Sequence, residues 1–186
     1  MFEVREEIIK NQAVVANDWG LLRLDEGDSA ESVAAPAGKV IVPLAVWLAQ
    51  RATLAARLPQ IGVWLASDER PETLGGDVAQ LPLIAVDFPK FTDGRGYSIA
   101  YNLRARLDFK GELRAIGDVL RDQLFSMHRV GFDAYATRPD RSIHDALKGL
   151  SVFSETYQAS WDEKSPLFRR HQRDVQQPDG DVGYGI

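Results

Sequence analysis

Four short apolar runs, each bounded by turn residues, constrain this chain more than anything else in it. They are Ile61–Ser67 (IGVWLAS), Leu81–Phe88 (LPLIAVDF), Gly111–Gly117 (GELRAIG) and Phe132–Thr137 (FDAYAT). Runs of this length without polar alternation suit strands buried on both faces of a parallel sheet. Upstream, KVIVPLAVWLAQRATLAARL (39–58) opens with a β-branched run and turns helical around Pro43, a residue suited to a first turn. Leu44, Trp47, Leu48, Leu54 and Leu58 give that helix a broad apolar face. Helical spacing recurs between the later runs. Ile99, Leu103 and Leu107 are four apart, and Leu120, Leu124 and Met127 share a face behind Asp118, an expected N-cap. Gly131 suits the left-handed position that ends this helix. Ser142–Asp145 (SIHD) resembles a capping box and leads into Ile143, Leu147, Leu150 and Phe153. The repeated strand–helix order predicts an α/β fold with a mostly parallel sheet, as an open sheet or a partial (βα) barrel.

The N-terminal segment predicts short β elements: two strands around Lys10–Gln12 and a third element near Leu21–Leu24. Gly27–Lys39 is small, polar and proline-bearing, and reads as a linker or exposed loop. A single α/β domain is expected over 1–160, followed by a polar, flexible tail over 161–186. The net charge of −5 argues against a nucleic-acid partner, which needs a basic face. The absence of cysteine removes disulfides, thiolate nucleophiles and cysteine-held metal clusters. His128, His144 and His171 are far apart, with no pair spaced for a metal on one helix face. The first ten residues carry acids and lack an apolar core, and no apolar run approaches the ~20 residues a bilayer span requires. The expectation is a cytoplasmic protein with no membrane partner; homo-oligomerisation stays open.

In parallel α/β folds, ligands bind beyond the carboxyl ends of the strands. The stretch FPKFTDGRGYS, Phe88 to Ser98, follows one such end. Gly94 and Gly96 let the backbone turn and approach a ligand. Lys90 and Arg95 bring charge, and amides near Tyr97 and Ser98 open the next helix, so the loop has the parts of an anion cradle. Turn chemistry alone also calls for Gly, Asp and Ser, so an ordinary loop accounts for the same composition. A second group follows Gly117: Asp118, with Arg121 one turn later. Asp118 and Asp87, on neighbouring strand ends, are candidate paired carboxylates for acid–base work. The candidate ligand-binding set is Lys90, Thr92, Asp93, Gly94, Arg95, Gly96, Tyr97 and Arg121, with no metal site. No dinucleotide fingerprint or P-loop is present, and the sequence names no cofactor.

LPLIAVDFPKFTDGRGYSIA, GELRAIGDVLRDQLF and GFDAY together resemble a bacterial family known as a domain of unknown function (nine-three-four). Its members often carry the label of an oxidoreductase involved in sulfite reduction. The resemblance implies a role in sulfur assimilation, as an accessory protein of assimilatory sulfite or nitrite reduction; the small anionic ligand is the expectation from the cradle residues. It leaves two alternatives: a non-catalytic docking or assembly partner of the reductase, and a flavin- or nicotinamide-dependent oxidoreductase.

Overall fold

The computed structural model describes residues 1–151 and 158–165. Phe153 and most of the expected tail, 166–186, lie outside the described residues. Nine strands form one sheet: β1 (Phe2–Val4), β2 (Glu7–Lys10), β3 (Ala13–Ala16), β4 (Gly20–Leu22), β5 (Val40–Pro43), β6 (Ile61–Leu65), β7 (Leu83–Phe88), β8 (Glu112–Gly117) and β9 (Ala134–Tyr135). Among the described residues four α-helices accompany them: α1 (Leu44–Ala55), α2 (Arg95–Ala105), α3 (Leu124–Arg129) and α4 (Ile143–Leu147). The strand order is β1-β4-β5-β6-β7-β8-β9-β2-β3. From β4 to β9 neighbouring strands are parallel and in chain order. At the margins β1 runs antiparallel to β4, β2 runs antiparallel to β9, and β3 runs antiparallel to β2. The sheet is therefore mixed rather than mostly parallel, and it curls into an open half-barrel. The expectation missed the margins because the N-terminal strands pair with distant partners that their own sequence does not name.

Consecutive parallel strands joined by right-handed crossovers place their connections on one face of the sheet. The packing follows. Val40, Val42, Val63, Ile84, Val86, Phe88 and Leu113 share one core with Trp47, Leu54, Ile99, Leu103, Leu124 and Met127 of the helices. The alternate positions Ile41, Leu83, Ala85, Ile116, Ala134 and Ala136 face the inside of the curl, where Ile8 and Trp19 meet them. Both sets are buried, which is why the central runs read as continuously apolar.

β1 and β2 lie on opposite margins of the sheet, yet only Arg5 and Glu6 separate them in the chain. Both run antiparallel to their parallel neighbours, so residues 2–10 act as one bent strand that pairs first with β4 and then with β9. Three residue steps span at most about 11 Å, little more than two strand spacings. That connection draws the margins toward each other across the open side of the curl.

Several local expectations hold. Asn11 and Gln12, both at positive φ, make the two-residue turn between β2 and β3. Gly131, at φ 110, ends α3. Ser142 Oγ accepts the Asp145 N–H at 3.3 Å. Others are corrected. Leu48 is exposed because α1 buries its opposite side. Residues 27–39 form a loop that is packed down: Gln50 donates to the Ala30 and Val33 carbonyls, and Arg57 to those of Ala35, Pro36 and Gly38. A 3-10 segment over Pro71–Ala79 was not anticipated.

Candidate functional site

At the end of β7 the pleat sends Asp87 to the inner face and Phe88 to the helix face. Phe88 is fully buried, with Tyr97 edge-on at 5.6 Å and Phe132 at 5.9 Å. A Cβ on Gly96 would come within 2.6 Å of the Phe88 ring, so glycine there lets α2 lie on the end of the strand. The loop between them is pinned from three sides. Asp118 Oδ2 accepts the Phe91 N–H at 2.9 Å, Gln123 Nε2 donates to the Phe91 carbonyl at 2.8 Å, and Ser67 Oγ donates to Asp93 Oδ2 at 2.8 Å. Asp118 is thus a loop clamp and not the cap of α3. A 3-10 turn over Arg121–Gln123 precedes that helix, and the Leu120 N–H is satisfied by Gln123 Oε1 at 2.9 Å.

The expected anion cradle is filled from within. Asp93 accepts from the Arg95 N–H (3.1 Å), Nε (3.0 Å) and the terminal guanidinium nitrogen (2.6 Å). The Arg95 guanidinium and the Ser67 hydroxyl hold the Asp93 carboxyl well below the usual carboxylate range. The chain's own carboxylate therefore sits at the start of α2, and Arg95 is folded onto it. Lys90 and Thr92 are exposed, Gly94 and Gly96 shape the turn, and Tyr97 is half-buried against Phe88. Asp87 and Asp118 do not pair with each other. Asp87 bonds Arg23 at 2.7 Å on the inner face, and Asp118 bonds Arg138 at 3.1 Å on the rim.

Beside Asp118, beyond the carboxyl ends of β8 and β9, lies a cavity of about 280 Å³ whose walls include Val119, Arg121, Thr137, Arg141, Ser142 and Asp145. Arg121 pairs with Asp145 at 3.0 Å, both about half exposed. Arg138 pairs with Asp140 at 2.8 Å as well as with Asp118, and Arg141 projects into solvent with Asp140 at 3.8 Å. These guanidinium groups hold the Asp140 and Asp145 carboxyls below their ordinary range. Two of these planar forks, Arg121 and Arg141, stand in the cavity wall, and such forks suit an oxyanion. Among the described residues no three His, Cys, Asp or Glu side chains converge as a metal site. His128 closes α3, His144 opens α4, and His171 lies outside the described residues.

The sequence reading missed a second polar cluster, on the inner face. Arg114 is almost fully buried; it bonds Glu112 at 2.6 Å and Asn17 Oδ1 at 3.0 Å, while Glu112 also holds Lys10 at 2.7 Å. Arg23 lies over the Trp64 ring, 5.1 Å from its centroid, between Asp87 and Glu3 (3.3 Å). Trp64 therefore belongs to this face rather than to the helix-side core. Arg5 donates to the Thr137 carbonyl. Burial pushes the pKa of both Arg5 and Arg114 down. One signal was legible: Arg114 and Asp87 each interrupt an apolar run at a position whose neighbours face the helices, so strand alternation places both on the other face.

No helix among the described residues is long and apolar enough to cross a membrane. No curated protein and no solved structure is significantly similar to the chain. A family model described as "bacterial protein of unknown function (DUF934)" matches residues 62–168, more than half of the chain. The match begins in β6 and takes in the pinned loop, Asp118, the rim cavity and α4, so the whole carboxyl-end rim from β6 onward lies inside it. The chain belongs to this bacterial family of unknown function.

Proposed function

We propose that the protein is an accessory factor of bacterial assimilatory sulfite or nitrite reduction that takes an oxyanion or a phosphorylated small molecule in the rim cavity. The carrying observation is that cavity: about 280 Å³, beyond the carboxyl ends of two parallel strands, with Arg121 and Arg141 in its wall. Its volume is close to the lower end of small-ligand pockets. The Arg121–Asp145 pair is exposed and screened by solvent, so a multiply charged oxyanion competes with Asp145 for the guanidinium at little cost. Asp118, Gln123 and Ser67 position the neighbouring loop that carries Lys90 and Thr92. The sulfur assignment rests on the family resemblance, and the anion assignment on the arginines.

Thermal unfolding of wild type and Arg121→Ala with sulfite, sulfate, phosphate, nucleotides and flavins tests this reading, together with the visible spectrum of the purified protein. Ligand at ~100 times its dissociation constant should stabilise the wild type by roughly 2.7 kcal/mol. The shift should follow one anion class and disappear in Arg121→Ala, which folds normally because it loses only an exposed pair. A yellow protein would favour a flavin enzyme instead. A second reading, docking on the reductase, is favoured by Phe91, which is 57 % exposed on a loop held rigid by three hydrogen bonds. If no ligand shifts the wild type, the anion reading fails and docking leads. Capture of the reductase by wild type but not by Phe91→Ala would then support it.

A further inference from the structure

The inner face of the half-barrel encloses a cavity of about 30 Å³, separate in its lining from the rim cavity and walled by Arg5, Arg23, Arg114, Trp19, Ile116 and Ala136 among others. Its charges do not balance. Arg23 is shared by Glu3 and Asp87, and Glu112 takes both Arg114 and Lys10. Arg5 has no carboxylate within ion-pair distance among the described residues, and its one hydrogen bond there goes to the uncharged Thr137 carbonyl. The charged groups of its lining are three arginines (Arg5, Arg23, Arg114) against one carboxylate, Glu3.

We propose that this cavity is a binding site for one small monovalent oxyanion of carboxylate size, held by the Arg5 guanidinium beside Arg23. The volume corresponds to roughly two to three water molecules, which admits an anion of about three non-hydrogen atoms and excludes phosphorylated metabolites, flavins and nicotinamides. A planar guanidinium matches a planar carboxylate-like group in two parallel hydrogen bonds. The apolar wall of Trp19, Ile41, Ile116 and Ala136 lowers the share of water around the ion, so the attraction is stronger than at the open surface. Because Arg5 lies in the dipeptide that joins the two sheet margins, the bound anion also offsets positive charge at that seam.

Formate is the probe, with chloride at equal ionic strength as the reference, and the full chain is followed by thermal unfolding and titration calorimetry. Formate should raise the melting temperature saturably above the chloride reference. Arg5→Gln should weaken formate at least about tenfold, the loss of one charge-assisted contact. Ala136→Val, which fills the cavity and leaves every arginine in place, should abolish the shift; it decides the matter if Arg5→Gln does not fold. Equal behaviour in formate and chloride overturns the assignment, as does a formate shift that survives in Ala136→Val. A formate shift lost in Arg121→Ala would place the ion at the rim and also overturn it.

Discussion

Arg104 shows how much of this fold depends on one side chain. It is 7 % exposed, and its guanidinium donates to the carbonyls of Gly131 (2.9 Å), Phe109 (2.7 Å) and Gly111 (2.9 Å) and to Asp133 (2.7 Å). It ties α2 to the turns on either side of β8. Truncation removes the donor from three carbonyls and from the Asp133 carboxylate, which is left with the Leu113 N–H. Removing one partner of a buried pair costs about 3–5 kcal/mol, an upper bound here because Asp133 is a third exposed. Arg104→Ala should therefore lower the urea midpoint by up to that equivalent, and Arg104→Lys should rescue only part, since an ammonium cannot reach four acceptors. Burial already raises the Asp133 carboxyl above its ordinary value of 3.8, against the pull of Arg104. A raised carboxylate favours the folded state below its unfolded pKa and loses that advantage as pH rises through the folded one. Without Arg104 the rise is larger, so the deficit of Arg104→Ala should shrink as pH is lowered. A deficit that is constant with pH would mean Asp133 does not feel Arg104.

At the scale of the element, the loop from Phe88 to α2 behaves as a self-contained clasp. Asp93 supplies the negative charge that a helix start attracts, and Arg95 neutralises it. Because the Asp93 pKa is depressed from 3.8, its stabilising contribution is fully present above that value and is lost as pH falls through the folded one. Asp93→Asn should give a shallower fall of melting temperature with acid below pH 3.8 than wild type, while Asp140 and Asp145 keep their share of the slope. Identical acid limbs would show that the clasp does not contribute to folding. The same geometry explains why composition misled at this loop: an arginine two residues from an aspartate satisfies it locally before any ligand arrives.

For the whole molecule, the decisive feature is the seam. β7 and β8 pair over six residues with both neighbours present and every β7 residue buried, whereas β1 is three residues long with Phe2 and Val4 about half exposed or more. Opening free energies track burial and pairing, so native-state hydrogen exchange should be slowest at 83–88 and 113–116 and fastest in β1. Protection of β1 equal to that of β7 would show that the margins open only with the whole sheet. The seam also ties the two polar sites together: Arg5 on the inner face bonds the carbonyl of Thr137, a residue of the rim cavity wall.

The sequence alone determined the parts whose physics is local. Continuous apolar runs made strands, Asn11–Gln12 made a turn, Gly131 and Ser142 made helix ends, and the residues after Gly117 marked a rim where Arg121 does line a cavity. Tertiary structure decided what depends on partners distant in the chain. The Arg23–Asp87 contact spans 64 residues and the Arg114–Asn17 contact 97, and neither has a trace in spacing. Which margin β1 and β2 would join, and that their join would cross the open side of the curl, follows only once the parallel strands have curled. Side-chain alternation assigns a residue to a face; the curvature of the sheet determines what that face meets.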